Sequence, residues 1–194
     1  MKKSLGLALA ACTALLAGQS ALAGSDVGSL YIAPRIQGVW LDDARQADDG
    51  TGIALAFGGV ASEKWNVELG LFGSGHDAAN DGRLKFQGFD LSALRVFYRD
   101  QRVNPYLTAG LGRIESRVAG AREGDYFLKY GVGVMADIAK NVDKGTNLQL
   151  RGEITGRRSD QSGAPDPVDY LVGLGLQYSW GGTPPPKPVV DSDG

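Results

Sequence analysis

The sequence predicts an all-β protein, an eight-stranded antiparallel up-and-down transmembrane β-barrel, and three observations predict it. Segments between Leu30 and Trp180 alternate large apolar residues with tiny or charged ones at a period of two, the mark of strands. Glycine is abundant, 29 of 194 residues, roughly twice its usual share of about 7%. Those glycines sit inside the alternating segments, where each would cost a helix about 1 kcal/mol. Finally, no apolar run beyond residue 23 approaches the roughly 20 residues a membrane helix needs. A spanning form must then be a closed sheet, because lipid satisfies no open strand edge.

The N-terminus sets the compartment. Met1-Lys2-Lys3 is followed by an apolar stretch from Leu5 to Ala17 and then by Ala21-Leu22-Ala23. These are the charged, apolar and small-residue regions of a secretory signal, with cleavage expected after Ala23. Residues 1–23 are therefore assigned to the signal peptide, 24–180 to the barrel and 181–194 to a proline-rich periplasmic linker. Cys12 is the only cysteine. Leu9-Ala10-Ala11-Cys12 resembles a lipoprotein cleavage box, but it would leave a very short apolar region and pass over the Ala-x-Ala site. Cleavage at Ala23 leaves no thiol, which suits an oxidising compartment. Without Lys2 and Lys3 the chain carries 18 basic and 22 acidic residues, a net charge near −4. That offers no clustered basic surplus for nucleic acid.

Five strands are read from clean alternation. Ile53, Leu55 and Phe57 interleave with Ala54, Ala56 and Gly58; Trp65, Val67, Leu69 and Leu71 with Asn66, Glu68, Gly70 and Phe72. Tyr126 through Val134 interleave with Phe127, Lys129, Gly131, Gly133 and Met135. Leu148, Leu150 and Ile154 interleave with Gln149, Arg151 and Glu153. Tyr170 through Trp180 interleave with Asp169, Gly173, Gly175, Gln177 and Ser179. Three more strands fall at 29–41, 86–98 and 105–116. Between Phe89 and Tyr98 two phases compete, which points to a bulge and leaves the direction of Arg95 open. Long polar connections are expected at Asp42–Gly50, Gly75–Gly82, Arg117–Asp125 and Ser159–Pro167, with shorter ones at Ala61–Lys64 and Arg99–Asn104, although Lys140–Thr146 is not much shorter. Alternating long and short connections fit an outer-membrane barrel. An even strand count places both ends on the periplasmic side.

Alternation alone also fits a soluble barrel with its apolar face inward. Lipid outside is favoured because eight strands leave an interior that side chains just fill, and the non-apolar face offers glycine, alanine and a few charges. Glu68, Arg151 and Glu153 share that face, with Lys129 a further candidate. In a narrow lumen such charges must pair, since an unpaired buried charge costs several kcal/mol. Tyr31, Trp40, Trp65, Phe97, Tyr98, Tyr106, Tyr126, Tyr178 and Trp180 lie near strand ends, where aromatic girdles meet lipid headgroups.

Catalysis finds no constellation. His76 is the only histidine. Ser74, His76 and Asp77 are too close in sequence to adopt a triad, and no oxyanion donor is apparent. Gly131-Val132-Gly133-Val134-Met135-Ala136 matches a dinucleotide pattern, yet it continues a strand instead of opening a helix. Asp191 and Asp193 complete no calcium loop. The acidic loop Asp42, Asp43, Asp48 and Asp49 is read as solvated, with divalent bridging to lipopolysaccharide an option. No cofactor or metal is expected.

Over residues 28–180 the chain resembles the N-terminal barrel of the OmpA family of outer-membrane proteins. The resemblance rests on Val67-Glu68-Leu69-Gly70 and Leu150-Arg151-Gly152-Glu153. It implies that a lumenal glutamate, Glu68, pairs with Arg151 to close or open the interior to ions, with Glu153 as a second acid. The family's lysine and glutamate on the fourth and sixth strands fall here at Leu94 and Met135. Gly175-Leu176-Gln177-Tyr178-Ser179-Trp180 is similar to a barrel-assembly signal, so Gly175, Tyr178 and Trp180 are expected to meet the assembly machinery. Family members continue through a proline-rich hinge into a peptidoglycan-binding domain. Pro184 to Gly194 is similar to that hinge and is expected to be truncated, so peptidoglycan is a partner only through a domain beyond these residues.

The expectation is a structural outer-membrane barrel, surrounded by lipid and lipopolysaccharide, that anchors a periplasmic module and supports the envelope. The alternatives are a narrow gated pore for ions or small solutes and a soluble periplasmic carrier of a hydrophobic ligand.

Overall fold

The structure is a computed structural model that describes residues 27–45, 47–78, 82–118, 121–141, 143–160 and 166–181. The expected signal segment, and the linker beyond Gly181 with its Asp191 and Asp193, lie outside the described residues. Eight strands follow in chain order: β1 (Leu30–Trp40), β2 (Gly50–Val60), β3 (Trp65–Ala78), β4 (Gly82–Val96), β5 (Val103–Val118), β6 (Ala121–Asn141), β7 (Thr146–Ser159) and β8 (Val168–Trp180). Each pairs antiparallel with the next, and β1 pairs with β8 to close the barrel.

Leu30 is paired with both Gly59 and Trp180, so the chain enters and leaves the barrel at one end. Connections 61–64, 97–102 and 142–145 lie at this terminal end. Gly145, with φ of 59°, supplies the left-handed residue of the last of them. β1 and β2, like β7 and β8, are joined at the opposite, loop end, where among the described residues a 3-10 turn, Asp43–Arg45, follows β1.

Two of the expected long loops are largely strand. The β3–β4 ladder runs on to Ala78 opposite Gly82, and the β5–β6 ladder to Val118 opposite Ala121. Polar residues suggested loop there, but pairing continues in the register set by the apolar rows below.

Bulky apolar side chains point outward, with Ile53 and Leu111 each 69% exposed and Ile36 67%. A carrier of hydrophobic ligands would need them inward, so the soluble-carrier alternative is set aside. The dinucleotide-like segment 131–136 is the middle of β6.

No bulge interrupts β4, which keeps one register against both neighbours. Phe89, Leu91, Ala93 and Arg95 face out, and the Arg95 guanidinium lies 5.7 Å and 5.6 Å from the ring centres of Trp65 and Phe97. Leu94 and Val96 face in, where they meet Tyr106 and Met135. The competing phase therefore reports an apolar patch inside the lumen. The register shift is in β6, between Asp137 and Ala139. The β1–β8 ladder keeps its register but skips Ala33 and Pro34, proline having no N–H to give.

Candidate functional site

The lumen is built in three layers. The middle one is ionic and draws on five strands. Arg151 on β7 faces Glu68 on β3 with both terminal nitrogens: Nη1 pairs with Oε1, and Nη2 reaches Oε2 at 3.0 Å. The same Nη2 lies 3.1 Å from Glu153, so one guanidinium serves two carboxylates. Arg35 on β1 pairs with Glu153 at 2.5 Å.

Two tyrosines buttress the acids. Tyr31 donates its hydroxyl proton to Glu68 and Tyr106 donates to Glu153, each at 2.9 Å. The Tyr106 oxygen also accepts from Arg151 Nε at 2.9 Å. Each ring lies across a glycine on the neighbouring strand. Tyr31 is paired with Gly58 and Tyr106 with Gly133, and a Cβ at either glycine would run into the ring. The glycines so conspicuous in the composition make room here for aromatic spans, a known device for covering glycine in sheets.

Lys129 is lumenal, but its partner is Asp90 on β4, at 3.0 Å, and Ser92 also donates to that acid. The resemblance leaves apolar residues at Leu94 and Met135, and the structure makes a layer of them. Leu94, Val96, Tyr106 and Met135 close one side of the terminal end. On the other side amides run from Asp137, which accepts from Asn147 and Gln149, through Gln149 to Gln177.

The third layer lies toward the loop end. Leu84, Phe86, Ile114 and Phe127 form a cluster joined by Phe72. Arg157 sits 5.4 to 5.8 Å from the ring centres of Phe72, Phe86 and Phe127 and pairs with Asp169 at 2.9 Å. Arg45, from the 3-10 turn, enters the same mouth, bonding Asp169 at 2.7 Å and Ser159 at 2.8 Å. Between the ionic layer and this plug lies a cavity of about 30 Å³ lined by Arg35, Asp90, Lys129, Glu153 and Arg157 among others. That holds one or two waters.

Several expectations are corrected by this geometry. Tyr31 and Tyr106 are not girdle residues: each is 1% exposed and points into the lumen. Tyrosine suits either place, since its ring is apolar and its tip polar. Trp40, Trp65, Tyr98, Tyr126, Tyr178 and Trp180 do face outward. Ser74 and His76 meet despite their short separation, with Nε2 and Oγ 2.9 Å apart. Two residues along a strand share a face. Asp77 points to the other face, and His76 Nδ1 lies instead against the Asp48 carbonyl at 3.1 Å. The acidic loop is also more than solvated. Asp42 accepts from the Val168 amide and Asp49 from the Leu41 amide, which folds the loop over the mouth.

Gly175 lies opposite Arg35 across the β1–β8 seam, and a Cβ there would strike the Arg35 side chain. Tyr178 and Trp180 face outward with ring centres 6.0 Å apart and an interplanar angle of 25°.

Arg35, Arg45, Asp90, Arg157 and Asp169 carry as much of the lumen as the residues singled out from sequence. Alternation places Asp169 inside and could have placed Arg35, Asp90 and Arg157 there as well. Nothing in the pattern marks Arg45, which arrives from a loop.

Comparison with known proteins fits this architecture. No curated protein matches the chain by sequence. Among solved structures, the chain is similar to Neisserial surface protein A, at 15% identity over 77% of this chain and 97% of that one, with a TM-score of 0.60. It is also similar to the N-terminal barrel of Pseudomonas aeruginosa OprF, at 15% identity over 79% and 98% of the two chains and a TM-score of 0.54. Ail of Yersinia pestis matches at 19% identity over 79% and 99%, with a TM-score of 0.52. At these identities the likeness concerns the fold. The sequence-family model for the outer membrane protein beta-barrel domain matches residues 8–180, and with that match the chain belongs to this family of outer-membrane barrels.

Proposed function

We propose that the protein is a structural barrel, a filled post in the outer membrane that carries a periplasmic segment and helps hold the envelope together. The observation behind this reading is the lumen, occupied at three levels by ion pairs, amides and aromatic rings. The terminal end, where β8 leads into the proline-rich sequence, is assigned to the periplasm. The loop end then faces outward, and Tyr178 and Trp180 would present the assembly signal at the periplasmic girdle.

The second reading, a gated pore, is kept because Glu68 and Arg151 form one separable pair in the middle layer. A lumen blocked at three levels opens only if all three yield, so a single gate substitution is insufficient.

Reconstitution in planar bilayers separates the two. A structural post gives no unit conductance, in the native form or with Glu68→Ala; steady openings of the native protein overturn the proposal. Orientation is tested with single cysteines at Arg122 and Asp143, exposed at the loop and terminal ends respectively. An impermeant maleimide applied to intact cells labels Arg122→Cys and spares Asp143→Cys. The reverse pattern inverts the barrel.

A further inference from the structure

On the outward face of β4, β5 and β6 the wall changes character within a few residues. One cross-strand row is Leu91, Leu111 and Leu128; the next toward the loop end is Phe89, Arg113 and Tyr126. Then come Gln87, Glu115 and Gly124, followed by Lys85, Arg117 and Arg122. Successive outward rows lie roughly 7 Å apart and neighbouring strands roughly 4.8 Å. Four cations thus gather directly above a leucine wall, with Glu115 the one acid among them.

The patch is shaped as well as charged. The Arg113 guanidinium lies 5.9 Å from the ring centre of Tyr126. A Cβ at Gly124 would sit 3.2 Å from Arg113 Nη2, so the missing side chain leaves the guanidinium its bed along the wall. Glu115 bonds Arg117 at 2.7 Å and lies 3.9 Å from Arg122. It holds those two side chains together without matching the charge of the four. Elsewhere at the loop end the outward residues are different: Arg158 is taken up by Asp166 at 2.7 Å, and β8, β1 and β2 present Tyr170, Trp40 and Thr51. The positive arc belongs to one side of the barrel.

We infer that this arc, Lys85, Arg113, Arg117 and Arg122, binds the phosphorylated headgroup of an outer-leaflet lipid whose acyl chains lie along Leu91, Leu111 and Leu128. The inference rests on the proposed orientation for its place in the cell. The chemistry follows from the wall itself. Guanidinium forks match phosphate oxygens in pairs, and a ligand with phosphate at the arginine rows and hydrocarbon at the leucine row satisfies both. A soluble polyanion would leave the leucines without a role.

The full chain in phosphatidylcholine nanodiscs doped with diphosphoryl lipid A provides the test, with retained lipid A measured by native mass spectrometry. The native protein retains diphosphoryl lipid A in preference to its dephosphorylated form. Arg113→Gln/Arg117→Gln/Arg122→Gln weakens retention about a hundredfold, taking about 1 kcal/mol per surface cation and a decade per 1.4 kcal/mol. Arg158→Gln leaves it unchanged. Heat-modifiable gel mobility, which none of these outward residues should alter, shows that each variant is folded. Equal retention by the triple variant overturns the inference. So does displacement of lipid A by soluble inositol hexakisphosphate at equal phosphate concentration, which would make the occupant a soluble polyanion. Binding in a nanodisc is blind to orientation in the cell, so failure here leaves the cysteine-labelling result untouched, and the converse holds.

Discussion

Arg45, on the turn between β1 and β2, places its guanidinium against Asp169 on β8, 124 positions later in the chain and 2.7 Å away. The contact ties a loop to the barrel wall and shares its acid with Arg157. Asp169 keeps Arg157 when Arg45 is removed, so Arg45→Ala should leave thermal unfolding of the barrel nearly unchanged. It should instead release the 41–49 connection. Limited proteolysis of the folded protein is expected to cut there in the variant and not in the native form.

Glu68 and Arg151 meet through both terminal nitrogens, and without Glu68 the guanidinium keeps only Glu153, an acid that it shares with Arg35. Glu68→Ala is expected to destabilise the barrel by about 3–5 kcal/mol. Replacing both, as Glu68→Met/Arg151→Met, should cost less than the sum of the single changes. Urea unfolding followed by gel mobility measures the cycle, and strict additivity would mean the pair is not coupled.

The tyrosine spans predict a steric conflict. Gly133→Ala puts a methyl group where the Tyr106 ring lies and should cost about 1–3 kcal/mol as overpacking. Adding Tyr106→Ser relieves the clash, so Gly133→Ala should cost much less in that background. Equal costs in the two backgrounds would show that the ring moves aside freely.

Leu94 and Met135 stand where the resemblance implies a lysine and a glutamate. Leu94→Lys alone buries a charge in an apolar layer and should lower the yield of folded, heat-modifiable protein sharply. Met135→Glu beside it supplies a counter-charge within the same cluster and is expected to recover part of that yield. No recovery would mean that the layer cannot host an ion pair.

Much of this architecture was legible in the sequence because alternation is a direct imprint of a two-faced wall. The outward rows of β6 and β8, and the inward positions of Glu68, Lys129, Arg151 and Glu153, follow from it. What escaped has physical reasons. Tyr31 and Tyr106 are amphipathic enough to serve at a lipid interface or in a polar lumen. The two phases of β4 looked like an irregularity because Leu94 and Val96 are apolar on both counts, and only the three-dimensional neighbours Tyr106 and Met135 explain them. Lys129 could be placed inside but not matched to Asp90, since pairing across a ring depends on which strands lie opposite. Arg45 left no periodic trace at all.

A ring of strands conceals where it was joined, yet Pro34 leaves a mark at the joint. Between Ile32 opposite Tyr178 and Arg35 opposite Gly175 the closing ladder lacks a donor, and hydrocarbon offers no substitute for it. The junction of first and last strands is therefore the softest line down the wall, where thermal parting should start. Amide exchange in detergent is expected to be faster along β8 near Leu176 than along the midpoint of β5–β6. Pro34→Ala, by restoring the donor, should slow it.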